Sequence, residues 1–200
     1  MKTKTINVYS FNELSEEAKQ NALQDFCNTG QYFWADENAE SLREFANVFP
    51  VNVINWQYGG GGKYISHSLT CEESIENLSG PRLRTYLLNN YYSVLFERKP
   101  YGKYFKSDSG VWKYPKRSNI FYIQTSCPFT GYCMDESLLQ PIRDFINKPD
   151  NSTFSDLIDE CLNNWLNDCE SDYDYFFSLE YYSEHCEANN YEFDECGNMI

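Results

Sequence analysis

Residues 150–200 of this chain contain no lysine or arginine, although they hold 14 Asp and Glu. That absence argues against duplex DNA or membrane phosphates as partners of this stretch, since like charges repel, and it favours a basic protein surface. Residues 1–149 carry 16 acidic and 16 basic side chains, so the whole net charge of −14 falls in the last quarter. A long apolar run is also missing. Met1–Phe11 has no stretch of the kind a secretory signal needs, and no window is long enough to span a bilayer. The expected location is therefore the cytoplasm, with no membrane partner.

Tight cysteine pairs are absent too. The eight cysteines, at 27, 71, 127, 133, 161, 169, 186 and 196, include no C-x-x-C, the spacing structural zinc sites usually show. They are read as reduced, mostly structural thiols, and neither metal nor cofactor is expected. Histidine is scarce. His67 and His185 belong to no catalytic pattern, and although Cys186 follows His185, neighbouring side chains diverge in a helix or strand. No two carboxylates stand in a recognisable acid–base arrangement, so no catalytic residue is assigned and the chain is read as non-enzymatic.

What is plentiful is aromatic: 17 Tyr and 14 Phe among 200 residues. Tyr suits half-wet surfaces, because its ring is apolar while its hydroxyl wants a partner. A chain of this length buries a core without disulfide or metal staples. Ile6–Tyr9 reads as a short strand. Ser15 reads as an N-cap, with Glu16 and Glu17 in the first turn and Gly30 as the stop. Ala35, Ala39, Leu42, Ala46 and Phe49 recur at helical spacing within a predicted helix 33–49 that Pro50 ends. Val51–Tyr58 and Lys63–Leu69 are extended around Gly59–Gly62, which predicts a hairpin. A helix starting near Pro81 gains one apolar face from Leu83, Leu87, Tyr91, Val94 and Leu95.

Ile120–Thr125 is a further strand candidate, and Asp135–Ile146 a short helix in which Pro141 should either sit in the first turn or make a kink. Thr153, with Asp156 three residues on, predicts the cap of a helix whose stripe is Phe154, Leu157, Ile158, Cys161, Leu162, Trp165 and Cys169. Tyr191–Phe193 reads as a closing strand with Gly197 in a turn. The expected fold is α+β: a single domain over 1–200, an antiparallel sheet of four or five strands with helices packed on it.

Two segments carry candidate binding chemistry. Residues 98–117 interleave basic and aromatic side chains, among them Lys103, Tyr104, Lys106, Trp112, Lys113, Lys116 and Arg117. Such a run can grip single-stranded nucleic acid by charge and stacking, or form a solvated loop beside a sheet. The acidic, aromatic-rich part at 150–200 is either a solvated helix face or a surface that stands in for phosphates in a basic nucleic-acid channel. In the second case Asp168, Glu170, Asp172 and Asp174 supply charge, and Tyr173, Tyr175, Phe176, Tyr181 and Tyr182 supply anchors; Phe177 belongs to the same run. Gly59–Gly62 lacks the strand-to-helix context of a phosphate loop.

Tyr9-Ser10-Phe11-Asn12-Glu13-Leu14-Ser15-Glu16-Glu17-Ala18-Lys19 resembles the opening phrase of a family from phages, prophages and plasmids often labelled as the antitoxin of a toxin–antitoxin stability system. Ala188–Gly197 is similar to that family's closing strand and turn, and Trp56–Gly61 is loosely similar to its glycine-containing hairpin. The resemblance implies a mobile-element origin and a domain closed by its own C-terminus, and it assigns no catalytic residues; 98–117 departs from the family pattern. By analogy of class, small acidic phage proteins include the anti-CRISPR inhibitors of RNA-guided nucleases, which hold guide and target in basic channels. The expected function is non-enzymatic inhibition of a host nucleic-acid-targeting defence protein in the bacterial cytoplasm. The partner would be an RNA-guided nuclease or its ribonucleoprotein, with RNA contact through 98–117. The alternatives are an antitoxin that masks a toxin and a phage RNA-binding regulator.

Overall fold

The computed structural model describes residues 7–96, 105–106, 109–110, 112–113 and 126–200. In chain order these form β1 (Tyr9–Ser10), a 3-10 turn (Phe11–Glu13), α1 (Glu16–Thr29), α2 (Ala35–Val48), β2 (Val51–Gln57) and β3 (Tyr64–Leu69). There follow α3 (Glu73–Glu76), α4 (Gly80–Asn90), α5 (Tyr92–Leu95), β4 (Phe105–Lys106) and β5 (Trp112–Lys113). The chain then continues through α6 (Met134–Asn147), α7 (Phe154–Phe176), α8 (Leu179–Asn189) and β6 (Glu192–Phe193). The class is α+β. Helices carry most of it, and the described strands pair two by two, β1 with β6, β2 with β3 and β4 with β5, rather than in one sheet. The strand candidate 120–125 lies outside the described residues.

The chain packs as two compact units. Unit 1 comprises 1–36, 57–64 and 167–200, and unit 2 comprises 37–56 and 65–166, so the chain passes between them at 36/37, 56/57, 64/65 and 166/167, the last of these inside α7. Local chemistry explains most element ends. The Ser15 hydroxyl accepts from the Ala18 N–H at 3.2 Å, and Gly30 follows α1. Thr153 and Asp156 exchange hydrogen bonds of 2.9 and 3.1 Å as a capping box at the start of α7. The face expected to run from Leu83 to Leu95 is broken at Tyr91, whose φ of −122° and ψ of 9° leave the helical region and separate α4 from α5.

Unit 2 is centred on the apolar faces of α2, α4, α6 and the first part of α7: Leu42, Phe45, Leu83, Leu87, Leu138, Ile142, Phe154, Ile158, Leu162 and Trp165 are all buried. The Trp165 indole N–H donates to the Asn38 carbonyl at 3.2 Å, as a buried indole requires. Pro141 lies in the interior of α6, not in its first turn. A proline there cannot donate to the carbonyl four residues earlier, which belongs to Ser137. The Asn164 side-chain amide, from α7, donates to that carbonyl at 2.8 Å. A partner from α7 thus satisfies the acceptor that the proline leaves open. Buried Asp135 gathers the N–H groups of Phe129, Thr130 and Gly131 at 2.7–3.2 Å and holds the loop before α6. Buried Arg143 donates to the carbonyls of Leu95 and Ser126, pinning to α6 the chain on both sides of 97–125.

Unit 1 is built from both ends of the described chain. β1 and β6 run antiparallel with Tyr9 opposite Phe193. Its core cluster is Phe11, Leu14, Ala18, Ala22, Tyr182, Cys186 and Phe193, with Phe11 edge-on to Tyr182 and Phe193 at 5.3 and 5.8 Å. Gly197, at φ +89°, lies so close to α1 that a Cβ would stand 2.1 Å from the Ala18 carbonyl oxygen. Only glycine fits that turn. The Asp194 carboxylate accepts from the N–H groups of Cys196 and Asn198, which fixes the same turn.

Candidate protein-docking surface

The charge asymmetry of the sequence takes a sharper form in the fold. Unit 1 holds 15 Asp and Glu against 4 Lys, a net of −11, and unit 2 holds 15 against 12 Lys and Arg, a net of −3. Residues 150–200 do not act as one piece: those to Leu166 belong to unit 2, while 167–200 join α1 and the glycine loop in unit 1. The two described lysines of unit 1 are already engaged. Lys19 pairs with Glu16 at 3.0 Å, and Lys63 bonds Glu170 and, at 2.8 Å, the Asn167 side chain.

The sequence-predicted site residues divide accordingly. Asp168 and Asp174 are exposed. Asp172 accepts from the Tyr32 hydroxyl at 2.5 Å, and Glu170 is the partner of Lys63, so both carboxylates serve the fold. Tyr173 is half-buried and covers Gly59, whose φ is +70° and whose missing Cβ would lie 2.6 Å from the Tyr173 ring. The glycine loop is therefore seated on α7 through Tyr173. Phe176 and Tyr182, expected as anchors, are instead interior side chains at 3% exposure. Phe176 packs against Phe26, Tyr32, Phe33, Phe177 and Tyr181 with ring centroids 4.8–5.8 Å apart, and Tyr182 stacks on Phe26 at 4.6 Å. Aromatic side chains attract one another as readily as they attract a partner, and here the cluster closes on itself. Tyr181 stacks on His185 at 5.8 Å and is half-buried.

Tyr175 is the predicted aromatic that remains outside, at 45% exposure, with its hydroxyl 3.4 Å from Glu184. Its phenol is raised above its ordinary pKa, first by the charge of Glu184 and then by burial and Glu180. That shift is a local sign of the negative field of this face. Two exposed rings escaped the sequence reading: Phe33, which it placed at the start of a helix, and Trp34. They stand at 64% and 51% exposure in the connection between α1 and α2.

The chain matches no family model, no curated protein and no solved structure.

Lys103, Tyr104, Lys116 and Arg117 fall outside the described residues, while the backbone at Lys106, Trp112 and Lys113 belongs to β4 and β5, with Lys106 opposite Trp112. Among the candidates for chemistry, the Cys186 thiol is buried, which raises its pKa to about 11 and keeps it protonated at neutral pH. His185 turns to Tyr181, Tyr191 and Asn189. His67 meets Asp159 at 3.2 Å. Burial likewise raises Cys161 and Cys169. Among the described residues no three metal-ligating side chains converge, and no helix is long and apolar enough to cross a membrane.

Proposed function

We propose that this protein acts by binding rather than by catalysis: the acidic face of unit 1 docks on a basic protein surface that otherwise receives nucleic acid. The partner in this reading is a host defence protein that targets nucleic acid, an RNA-guided nuclease in particular, and the outcome is its inhibition in an anti-CRISPR-like manner. The observation that carries it is the net charge of −11 on unit 1, whose described lysines are both paired internally. Long-range attraction of that kind speeds encounter and selects partners by sign. The mobile-element resemblance of Tyr9–Lys19 agrees with such a role. An antitoxin that masks a basic toxin would use the same face and is separated from inhibition by experiment.

The test is plasmid interference in bacteria carrying an RNA-guided nuclease, with the purified pair then titrated at rising salt. Protection of the targeted plasmid is expected, with affinity falling steeply between ~50 mM and ~0.5 M salt as exposed charges are screened. Replacing Asp168, Asp174, Glu180 and Glu184 by Asn or Gln should abolish protection while the melting curve stays in place. Full interference across a panel of such nucleases, together with rescue of cells from a co-expressed toxin, would overturn inhibition in favour of masking.

A further inference from the structure

The anchor of the docking face is not where the sequence suggested. With Phe176 and Tyr182 in the core, the largest exposed aromatic surface in unit 1 is the adjacent pair Phe33 and Trp34. Both are large and more than half exposed, on consecutive residues of one connection. The connection that carries them is held in shape. Gly30 closes α1 through its N–H to the Phe26 carbonyl. Tyr32 is fastened by Asp172 and by the rings of Tyr58, Tyr173 and Phe176 at 5.3–6.3 Å. Phe33 rests edge-on against Phe176 at 5.8 Å. The Trp34 indole N–H has no acceptor among the described residues. The rings are thus presented before any partner arrives, which lowers the ordering cost of binding.

We propose that Phe33 and Trp34 form the anchor of this face and take the guanidinium groups of an arginine-rich segment of a protein partner. The proposal rests on the docking reading above. Two features select arginine. The field of unit 1 draws a cation, and an exposed indole face favours the planar, weakly hydrated guanidinium over the compact, strongly hydrated ammonium of lysine. Charge alone would not distinguish the two.

The experiment uses the full chain and a labelled synthetic peptide of alternating Arg and Ser, beside its counterpart with Lys in place of every Arg, followed by fluorescence anisotropy. The Arg peptide should bind ~2- to 5-fold more tightly than the Lys peptide. Trp34→Ala should weaken the Arg peptide on the order of tenfold, because ring contact is lost too, and should erase the difference between the peptides. Trp34→Gln provides a second, polar replacement, and a melting curve for each variant checks that unit 1 is intact. Equal affinities for the two peptides, or variants that bind both like the parent, would overturn the anchor and leave charge-driven docking standing. Failure of either peptide to bind in a salt-sensitive way would remove the docking reading itself. A dimer in sedimentation that Trp34→Ala dissolves would show that a second copy covers the rings, and would also overturn the proposal.

Discussion

Asn164→Leu should unmake the hydrogen bond that the Asn164 side-chain amide donates to the Ser137 carbonyl. Leu has the same branching and number of side-chain heavy atoms as Asn and is a better helix former, so a loss of stability is not a propensity effect. Losing one partner of a buried hydrogen bond costs roughly 1–3 kcal/mol, and since Asn164 is half-buried the lower end, about 1 kcal/mol, applies. For a chain of this size that is a fall in Tm of ~2–4 °C. The decisive measurement is the same substitution made in a Pro141→Ala background. There residue 141 regains an N–H aimed at Ser137, and Asn164→Leu should cost less than ~0.3 kcal/mol. Urea melts of the parent, both single variants and the double variant give the coupling directly, expected at about 1 kcal/mol. Equal costs in both backgrounds would refute the idea that Asn164 compensates for Pro141 within α6.

Three further outcomes follow from the geometry. Gly197→Ala places a Cβ against the Ala18 carbonyl at a positive φ, and should destabilise unit 1 by ~2–4 kcal/mol in urea melts; a change under ~0.5 kcal/mol would contradict it. Gly59→Ala should cost ~1–3 kcal/mol and shift the near-UV signal of the Tyr32, Tyr58 and Tyr173 group, because the Tyr173 ring must move. Asp156 has a folded pKa below its ordinary 3.8, first through the Thr153 N–H. Its capping contribution is therefore fully present above that value and lost as pH falls below it. Asp156→Asn should flatten this part of the acid melting profile, and an unchanged profile would show that the cap does not titrate.

Local signals were readable wherever the chain satisfies its own ends. Ser15, Gly30, Thr153 with Asp156, and Gly197 mark caps and turns in the fold as their sequence context predicts, because a cap or a turn is settled within four residues. Pro141, expected in a first turn or at a kink, lies inside α6, and the donor to the Ser137 carbonyl comes from Asn164, on another element. α8 left little trace, since its fully buried positions are only Tyr182 and Cys186 amid polar neighbours. The aromatic run from Tyr173 to Tyr182 looks the same in sequence whether its rings meet a partner or each other. Only packing separates Tyr175 and Trp34, which face out, from Phe176 and Tyr182, which do not.

The pairing of Tyr9 with Phe193 also has a consequence for synthesis. At ~5–20 residues per second, the ribosome completes β6 on the order of ten to forty seconds after it has made β1. All of unit 2 has been polymerised by residue 166, while Phe11, Leu14 and Ala18 still await Tyr182 and Phe193. During that interval the first helix is an amphipathic segment with no lid on its apolar side. The nascent chain thus has a window in which a chaperone, or another copy on the same polysome, competes for the surface that the last strand will claim.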